Sequence, residues 1–213
     1  MKLRDLEIAL QGTKRFSGHR AEIESYPTPA PIAATILFSA QMDHDDIRSR
    51  LVCDLGCGDG IFANGAALLG ARAVIGIDIQ SKALKVAREN SSLLGTEDIV
   101  DLILGNVASL HLTNAVDTVV SNPPFGVQRR GADLVFLKKA MSISRVVYSI
   151  HLAGEKNRRF LKDYIQRFGG KVTQLETFDF PISKIYDFHR KRKHIVNVDL
   201  YRICVHEREI KNG

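Results

Sequence analysis

Apolar residues in this chain come mostly in short unbroken runs, and stretches with helical spacing separate one run from the next. Leu51–Leu55, Ala73–Ile79, Ile99–Leu104, Val116–Ser121 and Arg145–His151 are the runs. Strands buried on both faces read this way, whereas half-exposed strands alternate apolar and polar residues. Ile61–Leu69 reads as an amphipathic helix, Ser81 to about Leu94, Ala132–Met141 and Glu155–Phe168 as further helices, and Ser81 is the expected N-cap of its helix. Strand and helix in alternation predict an α/β fold, a Rossmann-like doubly wound and mostly parallel sheet of about seven strands. Only Pro181–Lys193 separates the last two strand patterns, Lys171–Phe180 and His194–His206. With no helix of ordinary length there, the final pair is expected to be antiparallel. Ahead of the sheet, residues 3–10 form a short amphipathic helix and Gly12–Pro31 is irregular. Pro27-Thr28-Pro29-Ala30-Pro31 opens a second helix to about Met42, since a proline at a helix start loses no hydrogen bond.

Composition adds bounds. A chain of 213 residues, 45% hydrophobic and 25% charged, is an ordinary globular protein with one sizeable core, most simply one domain. No apolar run approaches the ~20 residues of a membrane span, and the N-terminus lacks a signal-peptide core. A cytoplasmic protein without membrane contact is expected. Cys53, Cys57 and Cys204 fit neither a disulfide framework nor a zinc spacing, so no metal site is expected. The net charge of +6 suits a polyanionic partner, and its distribution sharpens that reading. His189-Arg190-Lys191-Arg192-Lys193-His194 is one cationic run, Arg129 and Arg130 are adjacent, and Lys14, Arg15, His19 and Arg20 cluster near the N-terminus.

Candidate chemistry falls at the strand ends, where doubly wound sheets bind ligands. After the first strand comes Asp54-Leu55-Gly56-Cys57-Gly58-Asp59-Gly60, whose glycines permit a tight turn and close approach of backbone amides to a ligand. A dinucleotide fingerprint would place a third glycine where Ile61 stands. Asp59 would repel a pyrophosphate but suits a cation such as S-adenosylmethionine, with its ammonium and sulfonium. Asp78, at the end of the second strand and followed by Ile79, is placed to accept ribose hydroxyls. Asn106-Val107, past the third strand, are placed to hold an adenine ring. The fourth strand ends in Asn122-Pro123-Pro124-Phe125-Gly126. Prolines remove backbone donors and leave carbonyls free, Asn122 offers a further acceptor, and Phe125 reads as an exposed face on which a base can stack. Together these form a clamp for a planar amine.

Gly56 through Gly60 with Asp78 and Asn122-Pro123-Pro124-Phe125 resembles a class I amino-directed adenine N6-methyltransferase. More closely, the chain resembles the methyltransferase-like protein 5 family of ribosomal RNA adenine N6-methyltransferases. The likeness includes Tyr26-Pro27-Thr28-Pro29, Gly131-Ala132-Asp133 with Phe136-Leu137, Val147-Tyr148-Ser149-Ile150-His151, and Phe188-His189 with the basic run. It implies S-adenosylmethionine contacts at Ser25, Thr28, Asp54, Gly56, Gly58, Asp59, Ile61, Asp78, Ile79, Asn106, Val107 and Asn122. Ser25 stands where relatives carry glutamine, and Asn106 where they often carry aspartate. The resemblance also implies N6-methyladenosine formation in small-subunit ribosomal RNA, and a small zinc-binding activator subunit that adds a strand to the sheet. Residues 1–42 are expected to cover the cofactor site. Arg129, Arg130, His189, Arg190, Lys191, Arg192 and Lys193 are the expected RNA contacts.

In the expected chemistry, Asn122 and the Pro123 carbonyl accept the two N–H bonds of the adenine amine, Phe125 stacks on the ring, and catalysis is positional and electrostatic. The target base must be flipped out or unpaired. His151 and Tyr148 lie near the end of the fifth strand; a histidine there reads equally well as a contact to RNA or support of the Asn122 loop and as a core residue, and neither is assigned a catalytic role. Two other functions stay open at this point: methylation of a protein glutamine or guanine N2, and a catalytically silent RNA-binding assembly factor.

Overall fold

The computed structural model describes residues 1–16, 26–112, 116–126, 131–182 and 194–205. Its centre is a seven-stranded sheet in the order β3-β2-β1-β4-β5-β7-β6. The strands are β1 (Leu51–Leu55), β2 (Ala73–Asp78), β3 (Val100–Leu104), β4 (Val116–Ser121), β5 (Ser144–Leu152), β6 (Gly170–Ile182) and β7 (His194–Val205). The first five pair in parallel, and β7 runs antiparallel to both of its neighbours. The order reverses between β1 and β4, which leaves a crevice at their carboxyl ends. The Ser121 hydroxyl spans that junction, donating to the Leu55 carbonyl at 2.8 Å.

The helices are α1 (Leu3–Gln11), α2 (Ala30–Met42), α3 (Ile61–Leu68), α4 (Ser81–Leu94), α5 (Ala132–Ile143) and α6 (Glu155–Arg167). One face of the sheet packs against α3, which α1 and α2 cover from outside. The other face packs against α5 and α6 through Leu137, Leu161 and Ile165. Because α3 lies between the sheet and two further helices, every residue from Ile61 to Ala67 is buried. Its pattern reads as amphipathic in the sequence, but in the fold it has no solvent face. Gly65 makes the close approach possible: a Cβ there would lie 2.4 Å from a methyl of Leu37 on α2.

Other departures are local. Gln80 rather than Ser81 caps α4, and the Asp78 carboxylate accepts the Gln80 amide at 2.8 Å. A 3-10 turn at Val107–Ser109, absent from the sequence reading, follows β3. At the sheet's open edge, Ile103 and Leu104 of β3 are exposed. At the other edge, the β6–β7 pair continues past the last β5 pairing, Leu152 with Val198, through Phe180–Val196 and Pro181–Ile195. This extension lies on the crevice side of the sheet, and its Phe180 ring meets Phe125 edge-on at 5.9 Å.

Tyr148 is a structural residue placed away from the crevice. Its hydroxyl donates to Asp46 at 2.7 Å, and Arg202 pairs with the same carboxylate at 2.9 Å. His151 is also buried, between Asp133 at 3.3 Å and Ser149 at 2.9 Å, and it ties the start of α5 to β5.

Gly65→Val would force α2 from α3. Although replacing a helical glycine ordinarily stabilises, the expected outcome is a loss of about 1–3 kcal/mol, measured by urea unfolding.

Candidate active site

A cleft of about 240 Å³ opens at the carboxyl ends of β1, β2, β3 and β4. Its floor is the turn after β1. Gly56, Gly58 and Gly60 all have positive φ, and the Gly56 and Cys57 amides bond back to the Ile77 carbonyl at 2.8 and 3.0 Å. The turn therefore folds over the end of β2 and delivers α3 at Gly60. The Gly58 amide donates to Asp78 at 2.9 Å, so this carboxylate braces both the glycine turn and the start of α4. Each of its oxygens keeps acceptor capacity toward the cleft it lines.

The structure brings most of the expected cofactor residues together. Thr28, Gly56, Gly58, Asp59, Ile61, Asp78, Ile79, Asn106, Val107 and Asn122 all line the cleft. Asp54 does not: it is buried beneath the turn, where one carboxylate oxygen accepts the Ala63 amide of α3 at 3.0 Å and the other has no partner. The Asn106 side chain caps the 3-10 turn by accepting the Ala108 amide at 2.9 Å, and still reaches the cleft wall. Ser25, Arg129, Arg130 and residues 189–193 lie outside the described residues.

Asn122 is the focal polar group. Its Nδ2 donates to the Tyr26 carbonyl at 2.9 Å and to Thr28 Oγ1 at 3.0 Å. Both amide protons are spent, and Oδ1 is a buried acceptor with no partner among the described residues. An unsatisfied acceptor beside a cleft marks where a donor belongs. Pro124 lines the cleft, and the neighbouring Pro123 is buried. Phe125 differs from expectation. Its ring is buried in the core, stacked against Tyr26 at 5.4 Å and met by Phe180, so it presents no free face. The apolar environment of the β6–β7 extension pulls it inward.

The sequence reading assigned no site role to Phe16, Tyr26, Cys57, Gln80 or Phe136, which also form the wall. Tyr26 and Phe136 stood inside segments already singled out, but Phe16 carried no signal. Asp59 is buried and already paired, 3.3 Å from Arg15, so it is not the free counter-charge that its position in the turn suggests.

Burial raises the pKa of Asp54 to about 8; the Ala63 amide opposes this, while the charges of Asp78 and Asp59 add to it. Burial also raises Asp59 and Asp78, against the Arg15 charge and the surrounding amides. Asp78 lines the cleft with acceptor capacity left on both oxygens, which suits a diol on a cationic ligand. The residues present therefore fit a cationic nucleoside.

The folded-state pKa of Asp54 lies above its ordinary value near 4, so the folded protein holds the extra proton between roughly pH 4 and 8. Stability of the ligand-free protein should fall as pH rises through that window, by at most about 1.4 kcal/mol per pH unit for this proton. Urea unfolding from pH 5 to 9 measures the slope, which Asp54→Asn should flatten.

The comparisons with known proteins agree with this site. Residues 48–196 match a family model described as a methyltransferase domain. The chain is 35% identical to the rRNA N(6)-adenosine-methyltransferase METTL5 of Danio rerio, covering 95% of this chain and 98% of that protein. Identity to the Drosophila melanogaster protein of the same description is 33%, over 95% and 96%. A crystal structure from Pyrococcus horikoshii, that of a candidate RNA methyltransferase, superposes with a TM-score of 0.88 at 38% identity, covering 96% and 98% of the two chains. The cationic nucleoside that the cleft fits is S-adenosylmethionine, and the chain belongs to the methyltransferase-like protein 5 family of class I S-adenosylmethionine-dependent methyltransferases.

Proposed function

We propose that this RNA methyltransferase forms N6-methyladenosine in small-subunit ribosomal RNA. The observation that carries the reading is the unpartnered Oδ1 of Asn122, held at the cleft wall by an amide whose protons are both occupied. An exocyclic amine is a donor, and its lone pair is delocalised into the ring. Hydrogen bonds to its N–H groups draw the nitrogen toward tetrahedral geometry and free the lone pair to attack. Asn122 Oδ1 accepts one N–H, and the Pro123 carbonyl takes the other. S-adenosylmethionine supplies an electrophilic methyl group. The remaining work is positional and electrostatic, and no side-chain base is required at the outset, because the amine proton becomes acidic only on alkylation.

With Phe125 committed to the core, its part is to back Tyr26, whose ring lines the cleft. A base inside a duplex cannot reach this cleft, so the target adenosine is unpaired or flipped. The β6–β7 extension lies on the crevice side, and the cationic run falls in the sequence between these two strands. That supports RNA contact by His189, Arg190, Lys191, Arg192 and Lys193, with Arg129 and Arg130 following the Asn122 loop. Phe16 and Tyr26–Thr28 line one side of the cofactor cleft. The open β3 edge, with Ile103 and Leu104 exposed, suits strand addition by a small activator subunit.

Asn122→Ala should lower N6-methyladenosine formation by at least about a thousandfold while S-adenosylmethionine affinity, by calorimetry, stays within about threefold. Mass spectrometry of digested RNA distinguishes methyladenosine from methylguanosine; loss of cofactor binding equal to the loss of activity would remove Asn122 from its assigned role.

Replacing Arg190, Lys191, Arg192 and Lys193 with alanine should reduce the salt dependence of RNA binding, by about 0.7 in the logarithmic slope for each phosphate no longer neutralised. An unchanged slope in filter binding would leave the run as a solvated surface.

A further inference from the structure

Residues 14–16 cross the cofactor turn as a strap. The Lys14 amide donates to Asn90 Oδ1 at 2.8 Å, and Asn90 Nδ2 donates at 2.9 Å to the carbonyls of both Lys14 and Asp59. On the other side of Arg15, the Phe16 amide donates to the Asp59 carboxylate at 3.2 Å. The backbone on both sides of Arg15 is thus pinned to buried groups of α4 and the glycine turn. From that base the guanidinium reaches in two directions. Nε lies 3.3 Å from Asp59 Oδ2, and Nη2 donates to the Thr28 carbonyl at 2.7 Å. Thr28 Oγ1 and the Tyr26 carbonyl are the two acceptors that hold the Asn122 amide. One side chain therefore joins the turn after β1 to the segment that orients the amide after β4.

We propose that Arg15 is a positioning residue for methyl transfer: by bridging Asp59 and the Thr28 carbonyl, it keeps Tyr26–Thr28 where they hold Asn122 Oδ1 toward the incoming amine. The inference rests on the acceptor role proposed above for Asn122. A carboxamide rotated by half a turn would present donors to the donors of the amine, which blocks the reaction. Among the described residues, the bonds from Nδ2 separate the two orientations, and both of their acceptors sit on one short segment without helix or strand. Anchoring that segment fixes the amide. The geometry requires arginine, because a planar fork can span two acceptors at fixed angles while an ammonium is a single point of charge. The Arg15 side chain is 36% exposed but its partner Asp59 is buried, so removing the arginine also leaves a buried carboxylate without its counter-charge. Arg15→Lys keeps that charge and removes the fork, which separates geometry from stability.

Arg15→Ala and Arg15→Lys test this, with Glu89→Gln as control, since Glu89 forms the exposed pair with Lys14 on the same strap. Three quantities are read: kcat at saturating cofactor and RNA, S-adenosylmethionine affinity by calorimetry, and hydrogen exchange of the Asn122 side-chain amide by NMR in the cofactor-free protein. Asn122→Asp identifies that amide resonance by removing it. Both Arg15 variants should lose about tenfold in kcat with cofactor affinity within about threefold, and the Asn122 amide protons should exchange about tenfold faster. Glu89→Gln should change none of the three. Unchanged kcat and exchange in Arg15→Ala would overturn the proposal. So would a loss confined to cofactor affinity, or full activity in Arg15→Lys. If the wild-type protein made no methyladenosine, the reading of the function would fail, and amide exchange would still decide whether Arg15 sets the Asn122 side chain.

Discussion

The carboxamide of Asn122 is the group on which the arrangement of this protein turns. It is half-buried, and its two donors are satisfied by Tyr26 and Thr28. Burying a polar side chain is tolerable when its hydrogen bonds are made, and among the described residues its Oδ1 is left without one beside the cleft. That acceptor depends on elements far apart in the chain. β4 ends at it, the Ser121 hydroxyl locks β4 to β1, and residues 26–28 reach it from outside the sheet.

The parallel sheet supplies the framework for this convergence. At the reversal of strand order between β1 and β4, adjacent strand ends cannot both be covered by the helices that follow them, so a crevice remains. The turn after β1 fills its floor with glycines in positive φ, and the Asp78 carboxylate braces that turn from β2. Burial pushes Asp54, Asp59 and Asp78 toward their protonated forms; Asp54 lies beneath the turn and Asp59 is paired with Arg15, which leaves Asp78 to meet a ligand.

α1 and α2 press α3 against the sheet, and Gly65 allows the three layers to come together. The chain between α1 and α2 brings Phe16, Tyr26 and Thr28 to the cleft wall, where Tyr26 and Thr28 accept the Asn122 amide and Arg15 bonds the Thr28 carbonyl. Packing of the outer layer and construction of the cleft therefore share one stretch of chain.

Much of this was legible in the sequence, because strand periodicity and special turn residues are local properties. The apolar runs marked the parallel strands to within a residue or two, and the glycine turn, Asp78, Asn106 and Asn122 were readable as strand-end residues. What stayed hidden depended on partners distant in the chain. Asp54 looked like a ligand contact but accepts an α3 amide, and Asp59 looked free but pairs with Arg15. Phe125 looked exposed until Tyr26 and Phe180 enclosed it, and α3 looked amphipathic until α1 and α2 covered its outer face. The sequence alone determined the order of elements and the chemical types placed at each strand end, since those follow from local patterning. Only the tertiary structure decided which of those groups remain available, because a side chain's free donors and acceptors are whatever its neighbours in space leave unpaired.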